Sequence, residues 1–154
     1  MTARPGEQRV TKLIADGEIE QVRPDQELAD LLMDDARRHL DTSRLVADAD
    51  PAGAYQLAYD AARKACSALL AVQGLRATSR GGHIALRDVV LAQLGQGPGT
   101  VLRQFDAMRR RRKDAEYPQD PGDVIDADEV RSVLPRSQAI VDFAQAVLPN
   151  LPAW

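Results

Sequence analysis

Apolar residues recur along this chain at the three-and-four spacing of an amphipathic helix, and no stretch alternates long enough to outline a competing strand. Leu28, Leu31, Leu32, Ala36, His39 and Leu40 share one face and predict a helix over residues 25–41. Pro24 stands at its start, and Asp25 and Glu27 place negative charge at the positive end of its dipole. Asp50-Pro51 begins a second helix, because the aspartate caps free amides while proline fills the first helical position. Tyr55, Ala58, Tyr59, Ala62, Ala65, Cys66, Leu69 and Leu70 make its stripe, which marks it as the central core helix, and Gly74 closes it.

Ser79-Arg80-Gly81-Gly82 interrupts the pattern, and Ile84, Leu86, Val89, Val90, Leu91 and Leu94 then crowd most faces of a short third helix ending at Gly95, which predicts burial. Gly95-Gln96-Gly97-Pro98-Gly99 reads as non-helical, Thr100 as the cap of a fourth helix running to Tyr117, and Pro118 as its stop. After a turn at Asp120-Pro121-Gly122, Asp126 and Glu129 have capping-box spacing. Val130, Val133, Leu134, Ile140, Val141, Ala144, Val147 and Leu148 then keep one register through Pro135, which predicts a single helix kinked there. Residues 1–9 read as a polar tail, 10–22 as an ambiguous segment for which a short helix ending near Gly17 is one reading, and 149–154 as a C-terminal tail whose Trp154 either folds back or stays loose. The sum is an all-α fold, a four- to five-helix up-down bundle over residues 24–148, without an internal repeat.

Composition narrows the function classes. Aromatic residues are only 4% of the 154 and alanine is abundant, so helices should pack closely through small side chains. The net charge of −3 argues against whole-molecule attraction to nucleic acid, and any RNA contact must be local. One cysteine and two histidines offer neither a disulfide nor a zinc spacing, so no metal and no cofactor is expected. No segment approaches the ~20 apolar residues of a membrane span and the N-terminus lacks a leader-like apolar run, so the expected location is cytoplasmic, away from membranes.

The fourth helix carries the local exception. Val101, Leu102, Phe105 and Met108 lie on one arc, which continues into Arg109, Arg112 and Glu116. A buried, unpaired guanidinium costs on the order of 3–5 kcal/mol, so Arg109 and Arg112 need a companion: Glu116, a second subunit or a bound phosphate, unless both snorkel to solvent. Arg110 and Asp114 are spaced for an ordinary exposed pair one turn apart.

Three segments together resemble the HEPN superfamily of prokaryotic helical domains, in particular its actinobacterial group. They are residues 54–65 (AYQLAYDAARKA) with Ala68-Leu69-Leu70 and Gly74-Leu75, then Gly82-His83, then Met108 to Pro118 (MRRRRKDAEYP). The likeness extends over about residues 25–148, and implies a HEPN-like bundle that dimerises with its arginine motifs facing across a cleft. It also implies a metal-independent endoribonuclease of a toxin–antitoxin or defence system, paired with a nucleotidyltransferase or antitoxin. The family signature is arginine, four to six residues, then histidine, with a tyrosine two positions on that a partner can modify with AMP. With Tyr117 on that tyrosine, Arg110 falls on the arginine and Ala115 on the histidine, so the proton-moving group is absent at its usual place. A variant pattern of arginine, asparagine, two residues, glutamate and tyrosine matches Arg112 to Tyr117 apart from Lys113.

Two functional readings stay open on these residues. In one, Arg109, Arg110 and Arg112 hold the scissile phosphate of an RNA while Arg112, Glu116 and His83 form the catalytic set, Glu116 or His83 moving the proton. In the other, a catalytically silent module binds RNA, a nucleotide or the nucleotidyltransferase, and Tyr117 accepts AMP. His39 and Cys66 read as packing residues, and His83 also has a plain reading as a helix-entry residue bonded to backbone.

Overall fold

The computed structural model describes residues 3–154 and contains six α-helices with one short ribbon. These are α1 (Glu7–Ala15), β1 (Ile19–Gln21), α2 (Gln26–Val46), α3 (Pro51–Gln73), β2 (Leu75–Ala77), α4 (Gly82–Leu94), α5 (Gln104–Glu116) and α6 (Ala127–Val147). The fold is therefore mostly helical, and α3 runs through its middle with α2, α5 and α6 around it.

α3 can be central because its own side chains are small. Ala54, Ala58, Ala61, Ala62, Ala65 and Ala68 are all fully buried, which lets neighbouring helices approach closely. Two serines of those neighbours are buried in turn. The Ser43 hydroxyl of α2 donates to the Ala54 carbonyl at 2.7 Å, and that of Ser137 in α6 donates to the Ala58 carbonyl at 2.6 Å. Both hydroxyls are thus satisfied where an unpaired one would cost roughly 1–3 kcal/mol. Asp50 caps the helix, accepting the Gly53 amide at 3.0 Å. At the other end Gly74 takes a left-handed φ of 77°. A Cβ there would also come within 2.6 Å of the Val22 carbonyl, so glycine is required twice over.

Several boundaries differ from the sequence expectation, each for a physical reason. Residues 7–9 are not tail but the first turn of α1, which resolves the ambiguous segment after them as a short helix ending at Ala15; α1 buries Val10 and Leu13 completely and lies against α4. β1 and β2 pair antiparallel, with Ile19 opposite Ala77, so the N-terminal segment is stitched to the bundle by backbone hydrogen bonds that no side-chain pattern announces. α2 continues past residue 41 to Val46, because its last turns bury Ser43 instead of a leucine and the apolar stripe fades while the helix does not. The Gly97–Arg103 stretch is a 3-10 helix rather than non-helical, so Thr100 lies inside it and α5 begins at Gln104. α6 includes Pro135 without ending. The C-terminus folds back: the Trp154 amide donates to the Gln73 carbonyl at 2.9 Å, and the Arg4 guanidinium stands 5.5 Å from the indole. Among the described residues no helix is long and apolar enough to cross a membrane.

Candidate functional site

Tyr59, halfway along α3, organises the polar chemistry of the bundle. Its ring is 1% exposed and stacks on Phe105 of α5 with centroids 5.4 Å apart. The Arg112 guanidinium stands 5.4 Å from the same ring, a cation–π distance, and the Tyr59 hydroxyl is 2.5 Å from Nδ1 of His83 in the first turn of α4. Burial pushes the Tyr59 phenol well above its ordinary value, against the pull of Arg112 and Arg63, so it stays protonated. Burial lowers the His83 imidazole, and the charges of Arg63, Arg112 and Arg109 lower it further, with Asp60 opposing. His83 is therefore a neutral imidazole near pH 7, bonded to a side chain and not to the backbone.

The next turn of α3 extends the seam. Asp60 accepts Arg63 Nε at 2.7 Å and stands 3.6 Å from Lys64 Nζ and 3.3 Å from His39 Nε2. Lys64 Nζ also lies 2.9 Å from His39 Nε2 and donates to Asp35 of α2 at 3.0 Å. His39, half-buried on α2, is thus wired into a charged network. Burial and the Lys64 charge hold it below its ordinary value, while Asp60 and Asp35 work the other way.

The arginines of α5 divide by partner. Arg112 Nη2 lies 2.8 Å from Glu116 Oε2, an oxygen that is itself buried and has no aligned hydrogen-bond donor among the described residues, so the pair is held by charge alone. Arg109, with a side chain only 14% exposed, leans on Asp106 at 3.2 Å. Neither Arg109 nor Arg112 extends freely into water, and each finds its anion one helical turn away. Asp106 also takes Arg87 at 2.7 Å and Arg110 at 2.8 Å. Burial raises the Asp106 carboxyl, but hydrogen bonds from Arg87 and Arg109 outweigh it and hold the group below the usual range. The expected Arg110–Asp114 pair does not form, since Asp106, shared with Arg87 and Arg109, draws Arg110 toward the helix start. Arg111 takes Asp114 at 3.0 Å and Glu129 of α6 at 2.5 Å, which ties α5 to α6.

Two hollows flank the seam. One, of about 570 Å³, has Asp60 and Arg112 in its wall, and the other, of about 600 Å³, has Arg63 and His83. Of the residues singled out from sequence, His83, Arg112 and Glu116 are brought together, with Arg109 close enough to bias His83. Arg110 is 73% exposed apart from its pair with Asp106, and Tyr117 is 67% exposed where α5 ends. Tyr59, Asp60, Arg63, Lys64 and Asp35 were missed. The available signal was the Asp60, Arg63, Lys64 spacing, since these are the only charged residues of a 23-residue helix.

The described residues hold no cluster of three or more candidate metal ligands. A cation-rich wall, a neutral imidazole and a buried phenol can bind an anion and move a proton. No family model, no curated protein and no solved structure matches this chain.

Proposed function

We propose that the chain is a HEPN-type component of a bacterial toxin–antitoxin or defence pair, and that it meets RNA at the Tyr59–His83–Arg112 seam. What carries this reading is convergence. The three segments behind the resemblance lie far apart in sequence, yet Tyr59, His83 and Arg112, one from each, meet around a single ring.

The seam supplies a base other than the residue at the motif histidine's place, which is Ala115. In the tautomer whose Nδ1–H donates to the Tyr59 oxygen, Nε2 of His83 keeps a free lone pair. It takes the proton of a ribose 2′-hydroxyl as that oxygen bonds to phosphorus, and the 5′-oxygen leaves with a proton from water. Arg112 and Arg63 hold the non-bridging oxygens, exchanging their carboxylate partners for a phosphodiester whose negative charge grows in the transition state. Glu116 acts as the resting counter-ion of Arg112. Activity through a neutral imidazole needs no metal.

Induced expression followed by mapping of RNA ends tests this directly. Wild type should arrest growth and create new RNA ends, and Arg112→Ala and His83→Gln should each abolish both. Normal growth with unchanged RNA for wild type would refute the nuclease. The second reading, a silent module that docks a nucleotidyltransferase and accepts AMP, is favoured by one observation, the exposure of Tyr117 at the end of α5.

A further inference from the structure

The hollow that contains His83 is wider than a phosphate requires. It lies between α2, α3, β2 and the start of α4 and encloses about 600 Å³, inside the roughly 300–1,000 Å³ span of small-molecule sites. Its floor is apolar, built from Leu32, Leu70, Leu75 and Leu86, and Leu28 stands at its rim 43% exposed. Its charged wall residues are three arginines, Arg23, Arg63 and Arg76, against the single carboxylate of Asp25. That carboxylate is already committed, accepting the Leu28 amide at 2.9 Å as the cap of α2. Arg76 is held by Glu20 at 2.7 Å. Arg63 uses Nε and Nη2 on Asp60, and among the described residues no acceptor stands against its Nη1. Ser67, one turn further along α3, lines the same wall.

We infer that this groove binds a small amphipathic carboxylate, with its apolar chain on the leucine floor and its carboxylate on the free face of Arg63 and the Ser67 hydroxyl. An apolar floor suits a hydrocarbon chain or ring and penalises a sugar, whose hydroxyls would lose water without finding partners. The donor face left open on Arg63 calls for an anion, and one free guanidinium face with one hydroxyl matches a monoanionic carboxylate better than a phosphate dianion, which needs more donors. The bound anion would lie beside His83 and raise its affinity for a proton, so occupancy of the groove would tune the adjoining seam.

Decanoate is a suitable probe, titrated into the isotope-labelled full chain and followed by amide and imidazole NMR. Saturable shifts should map to Ser67, Leu70, Leu75, His83 and Leu86, and the His83 titration should move upward. Decanamide, the uncharged counterpart, should bind about tenfold more weakly or worse, as should decanoate with Arg63→Gln. Ser67→Phe, which fills the groove without removing a charge, should block binding while leaving the helical circular dichroism intact. Absent or unsaturable shifts, equal binding of decanamide, or tighter binding of decyl phosphate than of decanoate would overturn the assignment. Binding is read on the protein alone, so the outcome does not depend on whether RNA is cleaved.

Discussion

The Tyr59 hydroxyl and His83 Nδ1 stand 2.5 Å apart, which fastens the middle of α3 to the first turn of α4 through one short side-chain contact. Because Tyr59 is also buried beneath Phe105 and Arg112, this contact fixes the orientation of the imidazole relative to the arginine. Replacing the tyrosine separates its two roles. Tyr59→Phe keeps the stack and loses the hydrogen bond, so denaturant unfolding should register a loss of about 1 kcal/mol. Tyr59→Ala opens a core cavity and should cost about 3–5 kcal/mol. Equal losses for the two variants would mean that the ring does not pack as described.

Stability should fall on mild acidification. His39 and His83 are both held below the ordinary 6.5 by burial. The unfolded chain therefore takes up protons first as pH drops, and their contribution, complete above 6.5, is lost as pH falls through the lowered folded values. Asp35 and Asp106 are held below the ordinary 3.8, by hydrogen bonds from Lys64 and Arg38 in one case and Arg87 and Arg109 in the other, so they act in a more acidic window. Urea midpoints measured between about pH 7.5 and 5 should decline for wild type and flatten in a His39→Gln/His83→Gln double variant. An equally steep decline without either histidine would rule this origin out.

Arg112 and Glu116 should behave as a coupled pair. Arg112→Ala strands a buried carboxylate oxygen and removes a cation from the face of Tyr59. The Arg112→Ala/Glu116→Ala double variant should therefore be more stable than the sum of the two single losses implies, by about 1 kcal/mol. Additive losses would show that the two side chains ignore each other in solution.

Arg111 provides the internal control for the arginine run. Its bonds to Glu129 and Asp114 are structural, so Arg111→Ala should lower stability by about 1–2 kcal/mol yet leave RNA-end formation at wild-type level. Loss of cleavage in a variant that is still fully folded would move Arg111 into the site.

Tyr117 separates the two functional readings. On the second reading, co-expression with a cognate nucleotidyltransferase should yield intact protein heavier by one AMP, and Tyr117→Phe should abolish the gain. A modification mapped to Tyr55 or Tyr59 would contradict their burial.

The helices were legible because each buries its own apolar stripe and carries its own stop signals, as at Asp50-Pro51 and Gly74 of α3. The ribbon and α1 were not. Three-residue strands have no period to read, and Val10 and Leu13 make too short a stripe to do more than suggest a helix. In the site, the arginines announced themselves by interrupting an apolar arc. Asp60, Arg63 and Lys64 passed unnoticed because charges one turn apart on a helix usually face solvent, and only the arrival of His39 and Asp35 from α2 turns these into a network.

The amino-acid order by itself determined that this chain would be helical, that α3 would be its axis, and that Arg109 and Arg112 would need anionic company, since periodicity, capping and the cost of buried charge act along a single helix. Their partners Asp106 and Glu116 lie one turn away on the same helix, whereas the arrival of Arg87 at Asp106 and the meeting of His83 and Arg112 across Tyr59 were decided only in three dimensions. Those contacts join residues many turns apart, and their geometry depends on how closely alanine-lined helices approach, which no local spacing encodes.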